Sequence, residues 1–408
     1  MNKLTPTKRL PKRQSCQALS LSILTMMLAT TASAATFEIP AVKNGLNLSI
    51  NGSANPRLTT EYDKFNYTYG DPKIFGSNGT LADVLVNQDR KDSDEQLRLD
   101  GVNWTMLGVS AKQRITPKMT ANASVVIEAG EGYVNNWGAY WGAWLDFGTY
   151  GEKGRITIGG QNNGLGVSQT GIGIVNTLTD GGTNINGRYM GIPNLTLSAY
   201  HMFSQSADIN DNTKTGWHDS NGIAAKYDFE FAPRKTLSLA GGYSQSKGHD
   251  QIAYFNTSEK ANAYLAGVSF QHNDLTVDLD YGKRNETYNG AVTHGVDKDT
   301  YGIKVNYEFT PRLQGSISYG RSQTDNKSPA PVQRLVSSKR LEPQGDQEAL
   351  FFHEVKKDRY SAELSYQLYQ GISLTGSITN LKTRNYTDEG EFSNRKHLTF
   401  STGASFSF

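Results

Sequence analysis

The 408-residue sequence has a single cysteine, Cys16. It precedes the apolar run Ala18 to Ala29 and so cannot be a lipoprotein cysteine, which would follow such a run. With that segment removed, no disulfide can form and no thiolate nucleophile remains. Long hydrophobic runs are also missing. Nothing after residue 34 approaches the roughly 18 consecutive apolar residues of a membrane-spanning helix, and the mean hydropathy is −0.54. A helical membrane protein is excluded. Proline is scarce at 12 residues, and no low-complexity linker divides the chain.

Net charge of one sign is lacking as well. The 41 Lys and Arg exceed the 39 Asp and Glu by only two. Lys3, Lys8, Arg9, Lys12 and Arg13 form a basic segment ahead of the apolar run, which ends in Ala32-Ser33-Ala34. A basic head, a short apolar centre and a small-x-small end describe a secretory signal peptide over 1–34, with the mature chain from Ala35. Taking away those five basic residues leaves 36 against 39, a net charge of −3, so nothing points to nucleic acid.

The remaining 374 residues carry abundant Gly and Tyr and a strong period of two. From Leu46 to Tyr62 the even positions are apolar or small (Leu46, Leu48, Ile50, Gly52, Ala54), and the odd ones are polar (Asn47, Ser49, Asn51, Ser53). Period two over that length means a strand whose faces meet different solvents. Leu398, Phe400, Ala404, Phe406 and Phe408 alternate with Thr399, Ser401, Ser405 and Ser407 in the same way. Between these ends the pattern predicts strands at 96–114, 119–128, 137–148, 154–161, 184–190, 194–203, 219–229, 234–246, 260–272, 274–284, 298–309, 311–321, 357–368 and 370–382. The total is 16, with a bulge expected near Gly101.

Connection lengths give the sheet its polarity. Short turns fall near 116–118, 150–153, 191–193, 232–233, 273, 310–311 and 370, and polar segments at 63–95, 129–136, 162–183, 204–218, 247–259, 285–297, 322–356 and 383–394. Phe147, Tyr227, Phe229, Phe231, Tyr307, Phe309, Tyr366 and Tyr369 cluster beside the short turns, as an interfacial girdle does. Backbone groups facing hydrocarbon must all be paired, and only a closed sheet pairs every edge. The expectation is an all-β, 16-stranded antiparallel transmembrane β-barrel, wide enough to hold water.

Chemistry of other kinds finds no foothold. None of the seven histidines lies in a pattern that marks a Ser-His dyad or a metal site, and no cofactor motif is present. Gly159-Gly160 is followed by a polar loop rather than a helix, so it is no nucleotide loop. The acidic cluster Asp89, Asp92, Asp94 and Glu95 reads as a solvated loop. An enzyme is not expected.

Residues 107–161 resemble the general Gram-negative porins. The likeness rests on Leu107-Gly108-Val109-Ser110-Ala111, Thr116-Pro117-Lys118-Met119, Asn122 to Glu128, Phe147 to Gly151 and Gly154 to Gln161, followed by Arg188-Tyr189 and Leu195 to Tyr200. The terminal Phe408 resembles the sorting signal read by the outer-membrane assembly machinery. The resemblance implies an outer-membrane channel for small hydrophilic solutes and ions, a homotrimer in lipid and lipopolysaccharide, and a third external loop, 162–183, folded into the lumen. A substrate-specific channel, with a vestibule formed by 63–95 and 322–356, is the alternative.

By parity Arg57, Arg98, Lys112, Arg114, Arg155 and Arg188 line the pore, and Asp180 is the only charge on the third loop. Asp180 and Arg188 are expected to face each other at the narrowest point. Met106 and Gly160 stand where family members carry wall cations, and the Pro-Glu-Phe-Gly-Gly signature of the enteric members is absent. The resemblance therefore implies a less charged eyelet than theirs.

Overall fold

A computed structural model of the chain describes residues 37–407, apart from 43–45, 55–56, 68–93, 101–104, 130–136, 149–150, 160–164, 166–167, 173–182, 205–215, 253–254, 290–292, 328–352 and 388–389. Among the described residues 19 strands form one sheet. They are β1 (Phe37–Val42), β2 (Leu46–Ala54), β3 (Arg57–Tyr67), β4 (Asp94–Asp100), β5 (Thr105–Thr116), β6 (Met119–Ala129) and β7 (Trp137–Phe147). There follow β8 (Gly154–Gly159), β9 (Thr183–Ile192), β10 (Leu195–Ser204), β11 (Gly216–Ala232), β12 (Lys235–Ile252) and β13 (Phe255–His272). The last six are β14 (Leu275–Asn289), β15 (Thr293–Thr310), β16 (Leu313–Asn326), β17 (Glu354–Tyr369), β18 (Ile372–Thr387) and β19 (Gly390–Ser407).

From β5 to β19 each strand pairs antiparallel with its successor. The ring then closes: β19 pairs with β3 from Ser393↔Tyr67 to Gly403↔Arg57, and with β2 at Phe406↔Ala54. On their other edges β3 pairs with β4, and β2 with β5. β2 and β3 are thus one stave, and β4 and β5 the next, which makes 16 staves. The two pieces of the first stave keep one register against β19, since Phe406↔Ala54 and Gly403↔Arg57 are in step. β1, unanticipated from the sequence, forms a hairpin with β2 through Phe37↔Ile50 and Ile39↔Leu48.

One parity of each stave turns exposed apolar side chains outward, among them Leu107, Val109, Val125, Ile127, Ile223, Ile317 and Phe400. Aromatic residues bound that surface at two levels. Near the short turns lie Tyr227, Phe229, Phe231, Tyr307, Phe309, Tyr366 and Tyr369, all exposed. A second girdle holds the pairs Tyr243–Tyr264, Tyr281–Tyr301 and Tyr319–Tyr360, with ring centroids 5.1, 5.4 and 4.8 Å apart. Eight residues separate Tyr301 from Phe309 on β15. At about 3.3 Å per residue and a tilt near 40° that is roughly 20 Å along the normal, close to the ~25 Å apolar band of such barrels.

The ladders run farther than the hydrophobic pattern does. The expected loops at 247–259, 285–297 and 383–394 are mostly strand, because pairing continues to Ile252↔Phe255, Asn289↔Thr293 and Thr387↔Gly390. Beyond the second girdle both faces meet water. The period of two in hydrophobicity disappears there while the backbone bonds persist.

Candidate functional site: the lumen and the loop that enters it

Asp280 on β14 points inward, since its neighbours Leu279 and Tyr281 are exposed on the apolar outer face. It is nonetheless only 5% exposed, because residues 168–170 sit on it. Its carboxylate accepts bonds from Ser168 Oγ at 2.8 Å, Gln169 N at 2.9 Å, Thr170 N at 2.9 Å and Thr170 Oγ1 at 2.6 Å. The turn closes on itself: Gly171 N donates to Ser168 Oγ and Ile172 N to Thr170 Oγ1, both at 3.3 Å. Gly171 has φ +65°, where glycine carries no Cβ penalty. Successive N–H groups converging on one carboxylate form an anion nest, and bonds to a charged acceptor are the stronger kind.

An apolar contact seats the same segment. Leu165 and Ile172 pack with Tyr200 and Met202 of β10, Ala224 of β11, and Ala263 and Leu265 of β13. The Tyr200 hydroxyl is bonded to Ser220 Oγ at 2.8 Å, and Ser220 to Ser246 Oγ at 2.6 Å, all three buried. Gly222 makes the seat possible: a Cβ there would stand 2.2 Å from the Tyr200 ring and 3.0 Å from Leu165 Cδ1. The wall around the anchor is smooth, because Asp280 lies in one register row with Ala240, Gly267, Gly302 and Gly320. Residues 165 and 168–172 therefore lie against the inner wall between β10 and β14.

The pore-lining residues expected from parity are distributed as follows. Arg155 and Arg188 are Cα partners on β8 and β9, and both are exposed to the lumen. Arg155 is held by Asp146 at 2.6 Å, with its guanidinium 5.4 Å from the centroid of the Trp144 ring. Asn122 Nδ2 donates to the other oxygen of Asp146 at 3.0 Å. Arg188 has no ion-pair partner among the described residues, so its nearest charged neighbour in register is a like charge. Lys112 of β5 is exposed beside Asn122 in register. Arg114 folds back onto the short turn, donating to Thr116 O at 3.4 Å and Pro117 O at 3.1 Å, so it stands at the turn-side mouth. Arg57 and Arg98 occupy register positions opposite Asp100 and Thr59. Asp180 and Phe408 lie outside the described residues.

Two features escaped the reading of the sequence. Asp280 has the parity of a lumen residue, but no local pattern marks it as an anchor, although small residues flank it on every neighbouring strand. Arg359 of β17 faces the lumen in the register row of Asp280, three strands along. Its parity, opposite to that of the exposed Tyr360 and Leu364, carried that signal.

Residues 20–386 match the family profile described as Gram-negative porin. No curated protein matches the chain in sequence. Among solved structures, the trimer form of OmpT, an outer membrane protein of Vibrio cholerae, superposes with a TM-score of 0.51 at 13% identity, covering 89% of this chain and 100% of that one. An anion-selective porin from Comamonas acidovorans gives 0.54 at 11% identity, covering 89% and 100%. The outer membrane channel DcaP of Acinetobacter baumannii gives 0.55 at 15%, covering 90% and 99%. At these identities the likeness is one of fold.

Proposed function

Because this chain belongs to the Gram-negative porin family, we infer that its general diffusion pore, set in the outer membrane, is narrowed by segment 162–183 and assembled as a trimer. The observation that carries the first part is the fourfold grip of Ser168, Gln169 and Thr170 on Asp280. A segment held across the inner wall from β10 to β14 reduces the free lumen to the side lined by β2 to β9 and β17 to β19. Ions and small hydrophilic solutes pass there by size and charge. Low-dielectric walls focus the field of the few unpaired charges in that gap, so Arg188 and Arg359, with Asp180 on the loop, set the preference.

Wall height supports the trimer. The described strands β6 to β10 have 6 to 11 residues, whereas β11 to β19 have 14 to 18. At ~3.3 Å per residue and ~40° tilt, six residues rise only about 15 Å along the normal. A low stave with Ile156 and Ile158 exposed is best covered by another copy of the chain. Export would use the leader 1–34, and assembly the terminal Phe408.

Reconstitution of the purified protein in a planar bilayer tests this reading. Conductance steps in groups of three, with weak ion selectivity, are expected. Absence of conductance from correctly folded barrels overturns it.

A further inference from the structure

Inward-facing positions on β16 to β19 hold cations and hydroxyls in separate bands. Lys357 and Arg359 of β17 have the parity opposite to the exposed Tyr360 and Leu364, and Arg395 of β19 the parity opposite to the exposed Phe400. All three therefore turn into the lumen. Lys357↔Thr383 and Thr383↔Arg395 are Cα partners, so Lys357 and Arg395 stand two staves apart with a threonine between them. Arg359 follows two residues further along β17. At about 4.8 Å per stave and ~3.3 Å per residue, the three Cα atoms span a triangle of roughly 7 by 10 Å. Long side chains from such a triangle can converge on one phosphate, a group that arginine grips with two parallel bonds.

The inward row next to that of Arg359 carries no charge. It reads Ser318, Ser361, Thr379 and Thr399 across β16 to β19. Ser318 Oγ and Ser361 Oγ are 2.6 Å apart, and Thr399 Oγ1 lies 3.0 Å from His397 Nε2, so these hydroxyls are tied sideways along the wall. Each hydroxyl has one donor and two acceptor lone pairs, which leaves capacity for a solute. The following row continues with Ser377 and Ser401 beside Glu363, the one carboxylate among the described inward residues of these four staves. Glu61 of β3, opposite Thr399, bounds the band on its far side. Residues 165 and 168–172 are seated elsewhere on the wall, between β10 and β14, so this sector borders the free part of the lumen.

Resting on the reading of an open pore, we propose that β16 to β19 form a binding station for phosphorylated polyols such as hexose monophosphates. The phosphate, close to a dianion at neutral pH, is held by Lys357, Arg359 and Arg395, and the polyol hydroxyls by Ser361, Thr379 and Thr399. Arg359 and Ser361 are about 7 Å apart along the strand, the scale of one sugar ring that carries a phosphate. Neither band alone selects this class, since the cations would take any multivalent anion and the hydroxyls any polyol. Their adjacency does. Such a station concentrates its solute in the gap and still lets it leave, as conduction requires.

Planar-bilayer recordings of the reconstituted full chain test this with glucose 6-phosphate, glucose and inorganic phosphate, each titrated as a blocker of the pore current. Glucose 6-phosphate should block at a concentration roughly tenfold or more below either of the others. Arg359→Gln should raise its half-blocking concentration roughly 10- to 100-fold, the equivalent of one charge-assisted hydrogen bond, and Arg359→Lys should recover part of the loss. The double variant Thr379→Val, Thr399→Val should weaken block by glucose 6-phosphate about tenfold and leave block by inorganic phosphate as in the wild type. Pores that still open in KCl report folded barrels, and the comparison of probes on the wild type stands even if a variant assembles poorly. Wild-type pores blocked equally by glucose 6-phosphate and inorganic phosphate, or equally by glucose 6-phosphate and glucose, would overturn the proposal. So would open variants blocked like the wild type. Failure of the wild type to form pores at all would instead overturn the transport reading beneath it.

Discussion

The Thr170 hydroxyl and the Asp280 carboxylate are 110 residues apart in sequence and 2.6 Å apart in space. This bond ties the segment between β8 and β9 to a strand five staves further round the ring. The tie is short, charged and buried, whereas the apolar part of the seat is the contact of Leu165 and Ile172 with small or apolar wall residues.

Asp280→Ala should loosen that segment without unfolding the barrel. Four donors lose a charged acceptor, each bond worth about 1.5–3 kcal/mol, while the β13–β14 and β14–β15 ladders keep their backbone bonds. Single-pore recordings should show raised current noise and a larger or variable open level. A quiet trace identical to wild type would mean that the apolar seat alone holds the segment.

Gly222→Val attacks the same seat from beneath. The new Cβ would overlap the Tyr200 ring at 2.2 Å, and a ring in a closed packing cannot yield by that much. Lower folding yield or an altered open level is expected. Tyr200→Phe, which removes the hydroxyl bonded to Ser220, should cost about 1 kcal/mol and leave conductance unchanged.

Selectivity should follow the unpaired charges rather than the paired ones. Arg188→Glu removes a cation from the lumen and places a carboxylate beside Arg155, so the reversal potential in a salt gradient should move toward cation preference. Asp180→Lys should move it toward anions. If neither substitution moves the potential, Asp180 and Arg188 do not share the narrow point. Asp146→Asn frees Arg155 from its 2.6 Å partner and should shift the potential toward anions as well.

At the short turn between β11 and β12, Arg234 holds a left-handed φ of 61° and reaches Asp274 at 3.0 Å and Glu308 at 2.9 Å. Exposed ion pairs contribute about 0–1 kcal/mol each, and the left-handed conformation costs a non-glycine residue roughly 1–2 kcal/mol. Arg234→Gly relieves the second while losing the first, whereas Arg234→Ala only loses. Urea unfolding should therefore find the glycine variant at least as stable as the alanine one. A clearly less stable glycine variant would show the ion pairs to be worth more than exposed pairs usually are.

The barrel was legible in the sequence because lipid and water impose opposite demands on alternate residues. Leu46 to Tyr62 and Leu398 to Phe408 displayed that alternation over enough length to identify staves, and the count of 16 followed. Legibility ended where the two solvents became one. Past the upper tyrosines both faces of β12 to β15 and of β18 and β19 are wet, so polar ladder looked like loop. The second girdle itself was missed, since Tyr281, Tyr301, Tyr319 and Tyr360 fall inside the strands rather than beside short turns.

The sequence by itself determined which faces are oily and which are wet, and hence a closed sheet around water. Only the tertiary structure decided which residues on the wet face meet each other. Contacts across a lumen join points far apart in the chain, and no local period encodes them. The Asp280 nest exists because the closed ring sets the segment between β8 and β9 against β14, and the Arg155–Arg188 juxtaposition because register puts the two opposite each other on neighbouring staves.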